Sequence, residues 1–170
     1  MLIVTGTMGA GKSAVLAEAS DILSLRHMIH AAIDLDTLGL ACLAATASNH
    51  SVMFSNLQSV CKNYAAAGVK RVMLARAMED RAEFEFCRTA VAAKHTVVCR
   101  LAASVKTMQE RVTMRESGLL QQKYVARVPK LDFFLDHAKL EDFIVVNENR
   151  TVSEVANEVL VKAGWISIDA

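Results

Sequence analysis

Five short runs of apolar residues recur along the chain, and they are continuous rather than alternating with polar residues. They cover residues 2–5, 29–33, 71–75, 96–101 and 143–146. Continuous runs of this length are typical of strands buried on both faces of a parallel sheet. The pattern therefore predicts five parallel strands with other elements packed above and below them.

Segments with the period of an α-helix lie between and after these runs. They cover residues 13–25, 52–67, 81–93, 105–116 and 121–140, and a last helix follows Thr151. This last helix is the best marked, because Thr151 and Glu154 have the spacing of a capping box and Gly164 is a suitable stop. The second helix is expected to bury one face, formed by Phe54, Leu57, Cys61 and Tyr64. Since strands and helices alternate, the sequence predicts a doubly wound α/β domain in three layers, α/β/α.

Composition narrows the class of partner. The chain of 170 residues is long enough for one domain, which we expect to span residues 1–170, and it is 53% hydrophobic with a formal net charge of +1. A chain this apolar and this nearly neutral is neither disordered nor suited to hold nucleic acid or an anionic membrane by charge. We expect a small-molecule partner, and either a monomer or a homodimer.

The remaining composition bears on the cellular compartment. No apolar run approaches the roughly 18 residues of a membrane span, and the chain begins with a strand rather than a basic leader. The cysteines show no metal-binding spacing and have apolar neighbours, so they are expected to be reduced thiols in the core. They are Cys42, Cys61, Cys87 and Cys99. These features predict a soluble, cytoplasmic protein.

The segment between the first strand and the first helix carries the most specific motif. It reads GTMGAGKS from Gly6 to Ser13, which is the pattern G-x-x-x-x-G-K-S. The glycines let backbone N–H groups point inward at phosphate oxygens, and the following helix adds the positive end of its dipole. The expected nucleotide-binding residues are Gly6, Thr7, Met8, Gly9, Ala10, Gly11, Lys12, Ser13 and Ala14. The alternative is a glycine-rich turn that joins strand to helix without a ligand.

Two residues of this loop have more specific expected roles. Lys12 would carry its charge to the β- and γ-phosphates, and the Ser13 hydroxyl would ligate Mg²⁺. ATP is expected rather than GTP, since the guanine signature N-K-x-D does not occur in the sequence.

Two aspartates follow the second predicted strand. Asp34 and Asp36 are expected to point to the same side, since strand side chains repeat every two residues. One carboxylate would steady Mg²⁺ through water, and the other would take the proton of an attacking hydroxyl. Solvated loop acids or a cap for the following helix are the alternative, because Asp favours such boundaries.

Several arginines are candidates for binding anions. Arg111 and Arg115 are four residues apart and therefore share one helix face, where one could stack on a base and the other pair with phosphate. An exposed basic face, paired with neighbouring glutamates, is the alternative. Arg76, at the end of the third strand, lies where an acceptor would enter, although an ordinary surface role is equally compatible with the sequence.

Together, the Walker A loop at the start, the D-x-D after the second strand and the R-x-x-x-R on a late helix resemble the small-molecule kinases of the P-loop superfamily. Shikimate, gluconate and adenylylsulfate kinases and chloramphenicol phosphotransferase are members of this group. The resemblance implies a P-loop NTPase fold with a five-stranded parallel sheet and a short lid at about residues 115–127. The segment DLDTLG matches neither the shikimate kinase nor the adenylylsulfate kinase consensus, so the acceptor stays unnamed.

The resemblance also implies roles for individual residues. Asp34 would touch the metal through water, while Asp36 would bind the acceptor and serve as the base. In the arginine pair, Arg111 would stack on adenine and Arg115 would neutralise the transferred group.

Two further parts of the chain acquire roles by the same resemblance. Arg127, behind the lid, would hold the acceptor. The turn after the fifth strand would surround the adenine ring, which makes Asn147, Asn149 and Arg150 candidate edge contacts, although asparagines are also common in turns without such a role.

The sequence therefore predicts an ATP-dependent kinase that transfers the γ-phosphoryl group to a hydroxyl of a small-molecule acceptor. The alternative is an ATP-binding regulatory protein, or an ATPase that uses water as acceptor. A toxin-type kinase acting on nucleotide sugars would differ only in its acceptor.

Overall fold

A single sheet of five parallel strands organises the computed structural model, which describes residues 1–44 and 48–167. The strands are β1 (Leu2–Thr5), β2 (Ala31–Asp34), β3 (Val72–Ala75), β4 (Val97–Ala102) and β5 (Phe143–Val146). Their order across the sheet is β2-β3-β1-β4-β5, and every neighbouring pair is parallel. The five-stranded parallel sheet predicted from the apolar runs is confirmed.

Helices follow the strands in chain order, and most of their bounds lie within a few residues of those expected. They are α1 (Lys12–Leu25), α2 (Leu35–Leu38), α3 (Asn49–Ala66), α4 (Arg81–Val91), α5 (Val105–Arg115), α6 (Gln121–Ala138) and α7 (Val152–Lys162). The short helix α2 was not predicted, and α3 begins earlier than predicted because Ser48 accepts a hydrogen bond from the Ser51 N–H as its cap. The capping box of Thr151 and Glu154 is present at the start of α7.

The core lies on both faces of the sheet, as a three-layer α/β/α arrangement requires. In β1, Leu2 and Val4 pack with α1, α5 and α7 on one face, whereas Ile3 packs with α3 and α4 on the other. On α3, Phe54, Leu57 and Cys61 are buried as predicted, but Tyr64 is 38% exposed. Every residue of α3 after Cys61 is exposed, so the last turn of this helix extends past the core.

The cysteines were predicted to be core thiols, and this is wrong for one of them. Cys61, Cys87 and Cys99 are buried, whereas Cys42 is exposed. Its apolar neighbours lie in the loop after α2 and not in a strand or helix that could bury them. Burial raises the pKa of Cys87 and of Cys99 to about 12, so both thiols are protonated at neutral pH.

Polar contacts attach helix α6 to the rest of the domain. Pro129 lies inside this helix and has no N–H, so the Val125 carbonyl has no donor in the next turn. The Gln109 side chain of α5 donates to that carbonyl at 3.3 Å instead. On the other side, Arg100 of β4 is 5% exposed and pairs with Asp136 of α6 at 2.5 Å.

Within the described ranges, we find no helix that combines the length and the apolar character needed to cross a bilayer.

Candidate active site

The GTMGAGKS loop joins β1 to α1 at the carboxyl end of the sheet, and its glycines have conformations that other residues rarely adopt. The φ angles of Gly6, Gly9 and Gly11 are +145°, +77° and +94°. A Cβ on Gly9 would lie 2.2 Å from the Met108 carbonyl oxygen, and one on Gly11 would lie 2.3 Å from Asn147 Nδ2. The local sequence therefore needs glycine here for both backbone geometry and space.

The other residues of the loop divide between packing and surface positions. Thr7 and Ala10 are buried, Met8 packs against the core, and Ala14 is exposed in the first turn of α1. These placements leave backbone groups, rather than side chains, to form most of the loop's inner surface.

Lys12 is the cation at the centre of the site. Its Nζ donates to the Thr7 carbonyl at 3.1 Å. Burial against the loop lowers the pKa of the Lys12 ammonium, and the nearby carboxylates of Asp36 and Asp34 oppose this shift. Arg115 and Arg76 lower the same pKa further by charge repulsion, so all of these predicted site residues act on one lysine.

Ser13 and Asp34 bring two side-chain oxygens into contact directly after Lys12 in the site. Ser13 Oγ donates to Asp34 Oδ2 at 2.5 Å. Mg²⁺ prefers such oxygens and keeps several waters, so two protein oxygens at this position fit the ion's usual demands. Among the residues that the structure describes, no cluster of three or more His, Cys, Asp or Glu side chains is suited to a metal.

The D-x-D segment differs from the predicted arrangement. Asp34 is the last residue of β2, but Asp36 lies in the first turn of α2 and not further along the strand. Asp34 Oδ1 accepts a hydrogen bond from the Asp36 N–H at 3.1 Å and so caps α2. The expectation of strand alternation is wrong here, because the capping preference of Asp ends the strand. Both carboxylates nevertheless act on Lys12 at the carboxyl end of the sheet.

Arg76 joins the predicted base to a carboxylate that sequence reasoning missed. Its Nη1 is 2.6 Å from Asp36 Oδ1, and its Nη2 is 2.7 Å from Glu83 Oε1. Burial alone would lower the pKa of Arg76, but the charges and hydrogen bonds of Glu83 and Asp36 outweigh it and raise the pKa above its ordinary value. The guanidinium is therefore a fixed, permanent cation beside Asp36.

Glu83 is the carboxylate that fixes Arg76, and it is 5% exposed. Its Oε2 also accepts a hydrogen bond from the Glu79 N–H at 3.1 Å, and its Oε1 lies 3.2 Å from His50 Nε2. In the sequence, Asp80 and Glu83 have the spacing of an ordinary helix start, and Asp80 does cap α4. That local signal hides the inward orientation of Glu83, which depends on Arg76, directly after β3, and on His50 of α3.

The two arginines of α5 occupy different environments. Arg111 donates from Nη1 to the Gly9 carbonyl at 3.2 Å and from Nη2 to the Asn147 carbonyl at 2.9 Å. Arg115 is largely exposed and pairs with Glu116 at 2.8 Å, which is the surface pairing that the sequence left open. Arg111 is thus bound to the GTMGAGKS loop, which we call the phosphate loop below, and Arg115 is oriented by a surface carboxylate.

The turn after β5 contacts the phosphate loop from the other side. Asn147 is 8% exposed, and its Nδ2 donates to the Ala10 carbonyl at 2.8 Å. Asn149 is exposed with a φ of +55°. Arg150 donates to the Val146 carbonyl at 3.1 Å and pairs with Glu158 at 2.6 Å.

The predicted lid segment is mostly helical. Residues 118–120 form a 3₁₀ turn, and α6 begins directly afterwards at Gln121. Arg127 lies on α6 and pairs with Glu79 at 2.7 Å, which places it on the same side of the site as Arg76 and Glu83.

Solved structures of small-molecule kinases share this fold over nearly the whole chain. A sugar kinase from Janibacter sp. HTCC2649 matches with a TM-score of 0.65 at 12% identity, covering 96% of this chain and 93% of that one. An APS kinase from Mycobacterium tuberculosis, in complex with AMPPNP and APS, gives a TM-score of 0.63 at 17% identity, covering 96% of each chain. A shikimate kinase from Acinetobacter baumannii, in complex with shikimate, gives 0.59 at 13% identity, covering 99% and 94%.

No protein-family model matches the chain, and no curated protein matches it. The structural matches define the class of fold, which is that of the P-loop small-molecule kinases. The resemblance that the sequence motifs indicated is thereby confirmed for the fold. At these low identities, the likeness concerns the fold alone.

Proposed function

We propose that the protein is an ATP-dependent kinase that transfers the γ-phosphoryl group to a hydroxyl of a small-molecule acceptor. The observation that carries this proposal is the convergence of the phosphate loop, the two aspartates and two arginines on Lys12. Loop, carboxylates and cations are the parts that phosphoryl transfer requires: a cradle for phosphates, a base or positioning group, and charge to stabilise the moving group.

The donor side of the site comprises residues 6–14, Arg111, Asn147 and Asn149. Its loop supports binding of a triphosphate, because backbone N–H groups at a helix start attract phosphate oxygens. Lys12, now bound to the Thr7 carbonyl, would exchange that partner for the β- and γ-phosphates. The edge of the Arg111 guanidinium is occupied by carbonyls, which leaves its planar face for a base. Asn149, exposed in the turn after β5, is proposed as a contact to the base edge.

Mg²⁺ would be held by Ser13 directly and by Asp34 through water. When bound, the ion would neutralise charge on the β- and γ-phosphates. Ser13 and Asp34 are already in contact, so binding requires little rearrangement of their side chains.

The acceptor side comprises Asp36, Arg76, Glu83 and Arg127. Asp36 would accept the proton of the attacking hydroxyl, while Arg76, anchored by Glu83, would hold an anionic part of the acceptor. Arg127, across from Glu79, would close on the same compound. Residues 115–127 are proposed as the lid, and Arg115, the first of them, would neutralise the transferred group.

One observation favours the alternative of a regulatory nucleotide-binding protein. Arg76 occupies Oδ1 of the proposed base, Asp36, so only Oδ2 is left to face an attacking hydroxyl until that pair opens. An acceptor whose anionic group competes for Arg76 would open the pair, whereas a water molecule would not.

A coupled assay of ATP consumption separates these functions. We expect slow consumption with ATP and magnesium alone and a marked increase with one hydroxyl compound from a metabolite panel. Candidate acceptors would first be found by thermal shift with a non-hydrolysable ATP analogue, because a ligand at 100 times its Kd adds about 2.7 kcal/mol of stability. Rapid hydrolysis without any acceptor would instead establish the ATPase.

A further inference from the structure

Two side chains that the sequence associates with the nucleobase are bound to the backbone of the phosphate loop. Arg111 contacts the Gly9 carbonyl, and Asn147 contacts the Ala10 carbonyl. These pairs are 102 and 137 residues apart in the chain, so they are tertiary contacts and not part of a local turn. Their target is the stretch of loop that precedes Lys12.

Each contact fixes the orientation of a peptide plane. In a trans peptide, the carbonyl of one residue and the N–H of the next point in opposite directions. The Asn147 amide holds the Ala10 carbonyl outward at 2.8 Å and thereby turns the Gly11 N–H the other way, away from Asn147. Gly11 is the residue before Lys12, where the loop must present N–H groups to phosphate.

The two side chains also support each other. Arg111 Nη2 donates to the Asn147 carbonyl at 2.9 Å, and the Asn147 N–H donates to the Ala102 carbonyl at 2.8 Å. Asn147 is nearly buried, and a Cβ on Gly11 would collide with its amide. The loop, α5 and the turn after β5 are therefore joined directly, and the Asn147 amide fills the space that a side chain at position 11 would need.

We propose that Arg111 and Asn147 are positioning residues for the phosphate loop, and that they set its affinity for a polyphosphate chain whether or not a base is attached. The proposal rests on the proposed nucleotide site, and it differs from a base-binding role in one measurable way. A residue that contacts only the base affects ATP and not inorganic tripolyphosphate. A residue that positions the loop affects both.

The experiment compares calorimetric binding of ATP and of inorganic tripolyphosphate, in the same magnesium buffer, to the full chain. Asn147→Leu keeps a similar side-chain shape, removes the donor and adds no charge, and Arg111→Ala removes both donors of the guanidinium. We expect each variant to lose about tenfold or more in affinity for both ligands, because hydrogen bonds to an organised loop are lost. The two factors should be similar for the Asn147 variant and larger for ATP in Arg111→Ala, which also loses the proposed stacking face. Arg111→Lys, which can reach one carbonyl but not both, is expected to recover part of the loss.

Gln109→Leu is the matched control. Gln109 lies on the same helix and also donates to a backbone carbonyl, but that carbonyl belongs to α6. This variant is expected to lower thermal stability and to leave both affinities unchanged. In the ligand-free protein the Ala10 N–H donates to the Thr7 carbonyl at 3.2 Å, so hydrogen exchange of this amide should quicken in the Asn147 and Arg111 variants and not in the control.

The outcomes are distinct. A loss of ATP affinity with unchanged tripolyphosphate affinity would make Arg111 and Asn147 base contacts and overturn the proposal, as would unchanged affinity for both ligands. If the unaltered protein binds neither ligand, the nucleotide site itself is refuted. If it binds both but never phosphorylates an acceptor, the kinase proposal fails while the positioning role stands. Should Asn147→Leu fail to fold, the half-buried Arg111 still decides the question.

Discussion

The donor side of the site is held by hydrogen bonds to backbone carbonyls, whereas the acceptor side is held by ion pairs between side chains. Gly9, Ala10 and Thr7 offer carbonyls to Arg111, Asn147 and Lys12, and the glycine conformations leave little freedom. On the acceptor side, Arg76 bridges Asp36 and Glu83, and the Asp36 side chain is 63% exposed.

This difference suits the two proposed ligands. A triphosphate presents the same oxygens in every turnover, so a rigid backbone cradle costs little reorganisation. An acceptor must enter, displace an ion pair and leave, and exchangeable side-chain partners permit that. The comparison predicts that changes on the donor side act on nucleotide binding, and that changes on the acceptor side act on transfer.

The largest effect is expected for Lys12→Met. Loss of the central cation should reduce ATP turnover by about 10³-fold, since preorganised charge is the main stabiliser of phosphoryl transfer. The fold should persist, because the pKa of Lys12 is lowered by burial and removal of the charge relieves that cost. Turnover and thermal unfolding would be measured against Lys62→Met, an exposed lysine on α3; an active Lys12→Met protein would remove the central premise.

Asp36→Asn tests the acceptor side alone. Transfer to an identified acceptor should slow by about 10²-fold if Asp36 is the base, while ATP affinity stays nearly constant. Rates under saturating ATP would be compared with those of Asp21→Asn, an exposed aspartate on α1. An unchanged rate would reassign Asp36 to acceptor binding, and a lost ATP affinity would contradict the separation of the two sides.

A pair of glycines gives a direct comparison of rigidity. Gly9→Ala places a Cβ 2.2 Å from the Met108 carbonyl at a φ of +77°, whereas Gly39→Ala, at a φ of −104°, meets only the Met53 side chain at 3.3 Å. We expect Gly9→Ala to cost about 3 kcal/mol of unfolding free energy and to abolish nucleotide binding. Gly39→Ala should change stability by about 0.5 kcal/mol or less. Urea unfolding measures both, and equal costs would refute the proposed difference in rigidity.

The smallest effect is expected for a change of Glu148, which joins the turn after β5 to the start of α5. The Thr107 and Ser104 side chains and the Ser104 N–H donate to Glu148 and lower its pKa. A carboxylate with a lowered pKa contributes stability above its unfolded pKa of about 4.3, and this contribution is lost as the pH falls through the lowered value. Glu148→Gln should therefore be less stable than the unaltered protein near pH 7, and the difference should shrink as the solution is acidified below the carboxyl range. A constant difference in urea unfolding from neutral to acidic pH would show that the carboxylate charge is not responsible.

Features that depend on short stretches of chain could be predicted from the sequence. The strands follow from apolar runs, the capping box of Thr151 and Glu154 from its spacing, and the phosphate loop from a motif that requires glycine. The prediction for Asp34 and Asp36 was wrong in one respect. It continued the strand through Asp36, whereas Asp34 caps α2 and the helix begins at the next residue.

Features that depend on distant side chains could not be predicted. Glu83 carries the signal of a helix start, and nothing nearby shows that it faces Arg76 and His50. The resemblance to P-loop kinases implied that Arg111 stacks on the base and made Asn147 a candidate base contact, whereas their contacts with Gly9 and Ala10 form between residues more than 100 positions apart. A motif specifies a loop, but it does not identify the residues that hold it.

The proline in α6 has a consequence for motion. Because the Val125 carbonyl is bound by Gln109 and not by an N–H of its own helix, α6 lacks one of the hydrogen bonds that would stiffen its middle. A closing movement of the proposed lid residues that follow α5 would then bend α6 at Pro129, while α5 keeps its place through Arg111 and the buried Met108 and Val112. Such a bend would move Arg127 relative to Arg115, which stays at the end of α5.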